Sequence, residues 1–401
     1  LHKNKDSFLC KDCYLSLLNL STTECFTLSP KFLLMLTQTE LKYLLALQRT
    51  PNLGDISIKK LLSRMGSAEN IFKEKNSILS KVDGIGAGRL SQFNRKLQLE
   101  QAEEELKYIE GNDIRVSFFQ DSDYPERLKH CIDGPVLLFG RGNIDLKGKR
   151  ILSIVGTRKI TTYGRAFCQE LIADLAPLNP VIVSGLAYGV DICAHRAALE
   201  HNLQTIGCLA HGLNQVYPRD HKKYMEAIER HGGFFTEFWS DSVFDRNNFL
   251  RRNRVIAGLS EATVVIESGK KGGSLVTAEI AVSYDREVFA VPGRTTDSQS
   301  QGCLDLIKQQ KAHLLTSAVD IVYHLDWKIE EKKMPVQTQL FVELNEEEKK
   351  VFRLLKEKER ELLDIIAIEC DFPVFKAATV LMNMELKGVV KPLPGKLFQL
   401  A

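Results

Sequence analysis

Phe249-Leu250-Arg251-Arg252-Asn253-Arg254 opens a helical run that closes on Gly258-Leu259-Ser260. The apolar strand Ala262-Thr263-Val264-Val265-Ile266-Glu267 comes next. The loop Ser268-Gly269-Lys270-Lys271-Gly272-Gly273-Ser274 then starts another helix at Leu275-Val276-Thr277. A glycine-rich turn between a strand and a helix can point its backbone N–H groups at an anion, helped by the helix dipole. Arg246, Arg251, Arg252 and Arg254 lie in a stretch with no acid, and guanidinium forks beside a nest of amides suit phosphate. Phe249 adds a ring on which a base can stack. A solvated helix face is the plainer reading of such a charge run. The single sign of the charge and the adjoining loop favour a site for a phosphodiester chain.

Outward from this stretch the pattern is strand, turn, helix, repeated from Lys149. Apolar strands are expected at 151–155, 181–184, 204–209, 262–266 and 287–291. Short continuous apolar strands separated by helices predict an α/β protein with a Rossmann-like parallel sheet covered on both faces. Ligands of such sheets bind at the carboxyl ends of the strands. There the chain places Gly156-Thr157-Arg158, Ser184-Gly185-Leu186-Ala187-Tyr188-Gly189-Val190-Asp191, Ala210-His211-Gly212 and Pro292-Gly293. A G-x-G-x-x-G fingerprint is absent after Gly156, which argues against NAD or FAD. Asp191 and His195, four apart on one helix face, read as a helix cap and a packed imidazole rather than an acid–base pair.

Residues 36–110 read as short helices joined by glycine turns. Gly84-Ile85-Gly86 resembles a helix-hairpin-helix turn, and a small bundle with capping glycines is the alternative. Residues 111–147 read as a connecting segment with strand-like pieces, 148–320 as the core and 321–342 as a linker. From 343 to 401, three helical runs and a strand pair across Pro394-Gly395 suggest a winged helix. With 10 Lys+Arg against 11 Asp+Glu after residue 336, that end suits protein contact better than groove reading. Residues 1–34 match nothing else, and a native start at Met35 is expected.

The 401 residues carry a net charge of +3, too small by itself to identify a nucleic-acid partner. The nine cysteines are odd in number and mostly isolated, which fits reduced thiols in a cytoplasmic chain. Cys10-x-x-Cys13 has metal-ligand spacing but no second pair, so no metal is expected. No apolar run spans a membrane.

Gly156-Thr157-Arg158, the segment Ser184 to His195, Tyr217-Pro218, Arg252 to Ser260, Gly273-Ser274-Leu275-Val276-Thr277-Ala278 and Val291-Pro292-Gly293 resemble, in order and spacing, the bacterial DNA-processing protein A (DprA/Smf) family. The likeness is dense over about 148–315. It implies an extended Rossmann core with a SAM-like helical amino-terminal domain and a winged helix. It implies a non-enzymatic, dimeric, single-stranded-DNA-binding protein that loads the RecA recombinase in natural transformation, with no cofactor. It also implies a strand-binding set of Arg158, Ser184, Gly185, Arg246, Phe249, Arg252, Asn253, Lys271, Gly273 and Ser274. Leu250, Asn214 and Leu304 depart from the family's usual proline, aspartate and asparagine. The rival is a nucleoside monophosphate phosphoribohydrolase-like enzyme. Lys271 to Glu279 keeps that motif's two glycines and its glutamate, but Leu275 fills the third glycine position.

Overall fold

The structure, a computed structural model, describes residues 37–328, 344–393 and 395–400. The chain divides after Lys328 into two compact units. The expected leader, the start at Met35, Cys10, Cys13 and Pro394 lie outside the described residues.

In the first unit nine strands form one sheet: β1 (Arg115–Phe118), β2 (Leu137–Gly142), β3 (Ile151–Val155), β4 (Val181–Ser184), β5 (Thr205–Cys208), β6 (Gly233–Thr236), β7 (Ala262–Val265), β8 (Glu287–Ala290) and β9 (His313–Leu314). Their order is β1-β2-β6-β5-β4-β3-β7-β8-β9. From β6 to β9 every neighbour is parallel, whereas β1–β2 and β2–β6 are antiparallel. From β3 the chain moves outward through β4, β5 and β6, then returns to β3's other side as β7. The ends of β3 and β7 therefore flank a topological switch point. Every residue of β3, β4, β5 and β7 is buried, as expected of strands covered on both faces.

One apolar layer packs the helices Thr162–Leu175 and Val190–Glu200 on β3, β4 and β7. The opposite layer carries the helices Arg246–Leu259, Gly273–Ser283 and Gln301–Lys308. Here the structure departs from the sequence expectation in three places. The segment 111–147 is not merely a connection, because β1 and β2 extend the sheet. β6 and β9 were missed, one opening on a glycine and the other only two residues long. Within the expected linker, the helix Ala318–His324 and buried Trp327 still belong to the core, and Trp327 Nε1 donates to Glu261 at 3.0 Å.

Thr37 Oγ1 accepts from Glu40 N at 3.1 Å and caps the first amino-terminal helix, Gln38–Arg49. The amino-terminal helices grip the segment that follows β6. Gln48 Oε1 accepts from Trp239 Nε1 (2.8 Å), Glu105 accepts from Ser240 N (2.9 Å) and Oγ (2.5 Å), and Arg49 forks onto Asp241 (2.6 and 3.1 Å). At the glycine turn, Gly84 takes φ +77° and Ile85 is buried.

In the second unit the helices Glu346–Lys358, Leu363–Glu369 and Val374–Leu386 enclose a small apolar core around Val351, Leu355, Leu381 and Met384. Asn345 and Glu348 form a capping box at its start. Three strands complete it, β10 (Arg360–Leu362), β11 (Val390–Leu393) and β12 (Leu397–Leu400), in the order β10-β12-β11. β10 occupies residues expected to be helical.

Candidate functional site

At the switch point the strand ends converge on a cleft of about 410 Å³. The turn after β3 supplies Gly156, Thr157 and Arg158. The helix Arg246–Leu259 supplies Phe249, Arg252 and Asn253, and the loop after β7 supplies Lys271, Gly273 and Ser274. Thr157 N donates to Glu267 O at 2.7 Å, which locks the β3 and β7 turns together. The sheet thus gathers Arg158, Phe249, Arg252, Asn253, Lys271, Gly273 and Ser274. Ser184, Gly185 and Arg246 do not line the cleft. Ser184 is fully buried, its Oγ donating to Ile154 O at 2.6 Å, and Arg246 stands exposed at the start of its helix.

Arg252 is the cation at the base of the cleft. It is 7% exposed, its Nη1 donates to Cys208 O at 2.5 Å, and its Nε has no hydrogen-bond partner among the described residues. Burial lowers its pKa and Asp191 offsets part of that; the guanidinium keeps its charge. Asp191, buried beside it, is pushed upward by desolvation against the pull of Arg252. Gly185 fits between the two: a Cβ there would come within 2.3 Å of Asp191 Oδ2 and 2.5 Å of Arg252 Nη1. Arg158 and Lys271 are exposed and make no ion pair among the described residues, so their charge is available to a ligand. Phe249 has two guanidinium groups over its ring, the central carbons of Arg158 and Arg252 standing 5.6 and 6.0 Å from its centroid.

The glycine loop ends in the helix Gly273–Ser283, whose amino terminus faces the cleft, and around Gly273 a Cβ would meet nothing within 4 Å. A ligand can therefore approach that backbone closely. Ser274 Oγ donates to Ser268 Oγ at 2.9 Å, and Asn253 Nδ2 lies 3.4 Å from Gly273 O. Both steady the turn from beneath.

His195 is fully buried and faces away from the cleft. Its Nε2 donates to Gly185 O at 2.6 Å, which leaves Nδ1 to accept from the Thr205 hydroxyl at 2.7 Å. Burial holds its pKa down at about 4. Asp191 accepts from Ala187 N at 3.2 Å, and the pair is structural. The residue capping that helix is Gly189, not Asp191. Glu279, the glutamate of the hydrolase-like motif, is exposed and pairs with Lys311 at 3.3 Å, away from the cleft, where among the described residues Asp191 is the one lining acid.

The family model described as DNA recombination-mediator protein A matches residues 115–326. Protein Smf of Escherichia coli is 33% identical over 313 residues, covering 77% of this chain and 82% of that one. The chain belongs to this family. DNA processing protein DprA of Bacillus subtilis is 39% identical over 203 residues, covering 50% of this chain and 68% of its own. The X-ray structure of DNA processing protein A from Streptococcus pneumoniae superposes with a TM-score of 0.60 at 31% identity, over 72% of this chain and 98% of that one. The cleft residues from Gly156 to Thr277 all fall inside the family match.

Sequence reasoning missed two residues near the site. Gln299 lines the cleft from a distant loop, and Phe244 touches Phe249. Neither sits in a motif. No signal in the sequence could have singled them out.

Proposed function

We propose that this member of the DprA/Smf family binds single-stranded DNA in the switch-point cleft and delivers it to a RecA recombinase. The observation that carries the reading is Arg252, a buried guanidinium beside two surface cations, Arg158 and Lys271, that form no ion pair among the described residues, and a helix amino terminus. A phosphate suits the two surface cations and the helix amino terminus, with Arg252 adding its positive charge from beneath, and such contacts carry no sequence information. The relatives from Bacillus subtilis and Streptococcus pneumoniae, both DNA processing proteins DprA, support the same reading.

In this proposal the protein acts without catalysis or cofactor, as a cytoplasmic homodimer, and serves recombination of incoming DNA in transformation. Among the described residues no helix is long and apolar enough to cross a membrane, and no acid, His or Cys cluster suits a metal. The amino-terminal helices are read as a SAM-like, helix-hairpin-helix-type module. The second unit, with three helices and three strands, is read as a winged helix used for protein contact or regulation.

A mobility-shift series with single- and double-stranded oligonucleotides, across salt and with RecA present or absent, tests the proposal. Single strands should bind tightly, weaken steeply with salt and recruit RecA. Equal binding of both forms, or none, would overturn it. Free-base release from nucleoside monophosphates would support the hydrolase instead.

A further inference from the structure

Three rings meet at the mouth of the cleft. Tyr217 and Phe244 have centroids 4.7 Å apart, Phe244 and Phe249 5.5 Å, and Tyr217 and Phe249 6.0 Å. Such clusters are ordinarily buried, since each ring removes a large apolar area from water. Here Tyr217 is 41% and Phe244 45% exposed. The rings meet tilted or edge-on, at 53°, 69° and 71°, so they do not stack face to face on one another. Phe249 differs from its neighbours. It is half-buried, and two guanidinium groups already sit over its ring. It joins the phosphate cleft to the outer pair more than it offers an open face of its own. Arg219, two residues beyond Tyr217, and Arg246, two residues beyond Phe244, are exposed and form no ion pair among the described residues. The open rings are therefore flanked by unclaimed positive charge, the combination that holds an unpaired base and its phosphate.

We propose that Tyr217 and Phe244 form a base-stacking platform for the nucleotides that leave the phosphate cleft. This rests on the reading of the cleft as a single-strand site and adds to it a source of selectivity. Bases of a duplex are stacked on one another and offer no free face to a ring. An unpaired base does, so the platform rewards single strands alone.

The test uses fluorescence anisotropy on the full chain with oligothymidylates of increasing length and with a duplex of the same lengths. For the unmodified protein, affinity should rise on lengthening past the cleft. Phe244→Ala and Tyr217→Ala should each lose roughly five- to 150-fold of that gain, whereas Tyr217→Phe should retain it. Duplex binding should not respond to any of the three. A second measurement leaves the protein intact: abasic residues placed past the cleft should cause the same loss, and Tyr217→Ala should no longer sense them. If the unmodified protein binds the long strands while alanine variants and abasic strands match the intact pair, the platform is overturned and the cleft stands. If the unmodified protein binds no oligonucleotide at any length, both readings fall together.

Discussion

Arg252 and Arg254 sit two residues apart on one helix and therefore on opposite faces of it. Both are buried, yet their surroundings differ completely. Arg254 faces the amino-terminal helices, where it pairs with Glu237 and, at 3.0 Å, with Asp55. Burial works against its charge, but the two carboxylates outweigh it and its pKa is raised. Arg252 faces the strand ends, where a carbonyl takes one N–H and another has no partner among the described residues. The cavities follow the same division. The cleft against the amino-terminal helices is the larger, about 930 Å³, but Arg49, Arg251 and Arg254 there meet Asp241, Glu237 and Asp55, and Arg89 donates to Ser57. In the smaller cleft Arg158 and Lys271 form no ion pair among the described residues, and Arg252 has Asp191 beside it without a salt bridge. Burial of a charge does not mark a binding site; failure to neutralise it within the chain does.

The largest effect expected from this contrast is on stability. Arg254→Ala leaves Glu237 buried with only the half-exposed Arg251, 3.0 Å away, to answer it, and should cost about 3–5 kcal/mol in urea unfolding. A loss under about 1 kcal/mol would erase the distinction between the two faces. His195, buried behind Gly185, provides a pH readout. Its pKa falls from 6.5 to about 4 on folding, so the unfolded chain takes up a proton that the native one refuses. Its contribution is complete above pH 6.5 and fades as pH falls toward 4, by about 3 kcal/mol. Unfolding of the wild type should show that dependence, and His195→Gln, whose amide can still donate to Gly185 O, should lack it. Identical pH profiles would refute the assignment.

Next in size, Arg252→Ala should weaken binding of unrelated single strands by comparable factors, about 1.5–3 kcal/mol by filter binding. Sequence-dependent losses would mean that it reads bases. The smallest effect belongs to the exposed cation: Arg158→Ala should reduce the slope of log affinity against log salt by about 0.7, one phosphate contact on a single strand. An unchanged slope would remove Arg158 from the cleft's cations.

The alternation of short apolar strands with helices made the sheet legible, because a strand covered on both faces must be apolar throughout. β6 escaped because it opens on a glycine, and β9 and β10 because they are only two and three residues long; their place is set by neighbours distant in sequence. Most of the cleft was readable because Arg252, Asn253 and Gly273 fall in unbroken motifs. The arginine run, taken as one patch, was not. Glu237 and Asp55, which claim Arg251 and Arg254, lie on other elements, and Asp55 is 199 residues from Arg254. The rings of Tyr217 and Phe244 are likewise joined only by the fold.

Gly185 carries one further consequence. Its alpha carbon is wedged where a single methyl would strike Asp191 and Arg252 at once. A change of one residue to alanine there would act as a lever on the guanidinium without removing any atom that a ligand could touch. The grip of the cleft is therefore hostage to a residue that has no side chain to contribute.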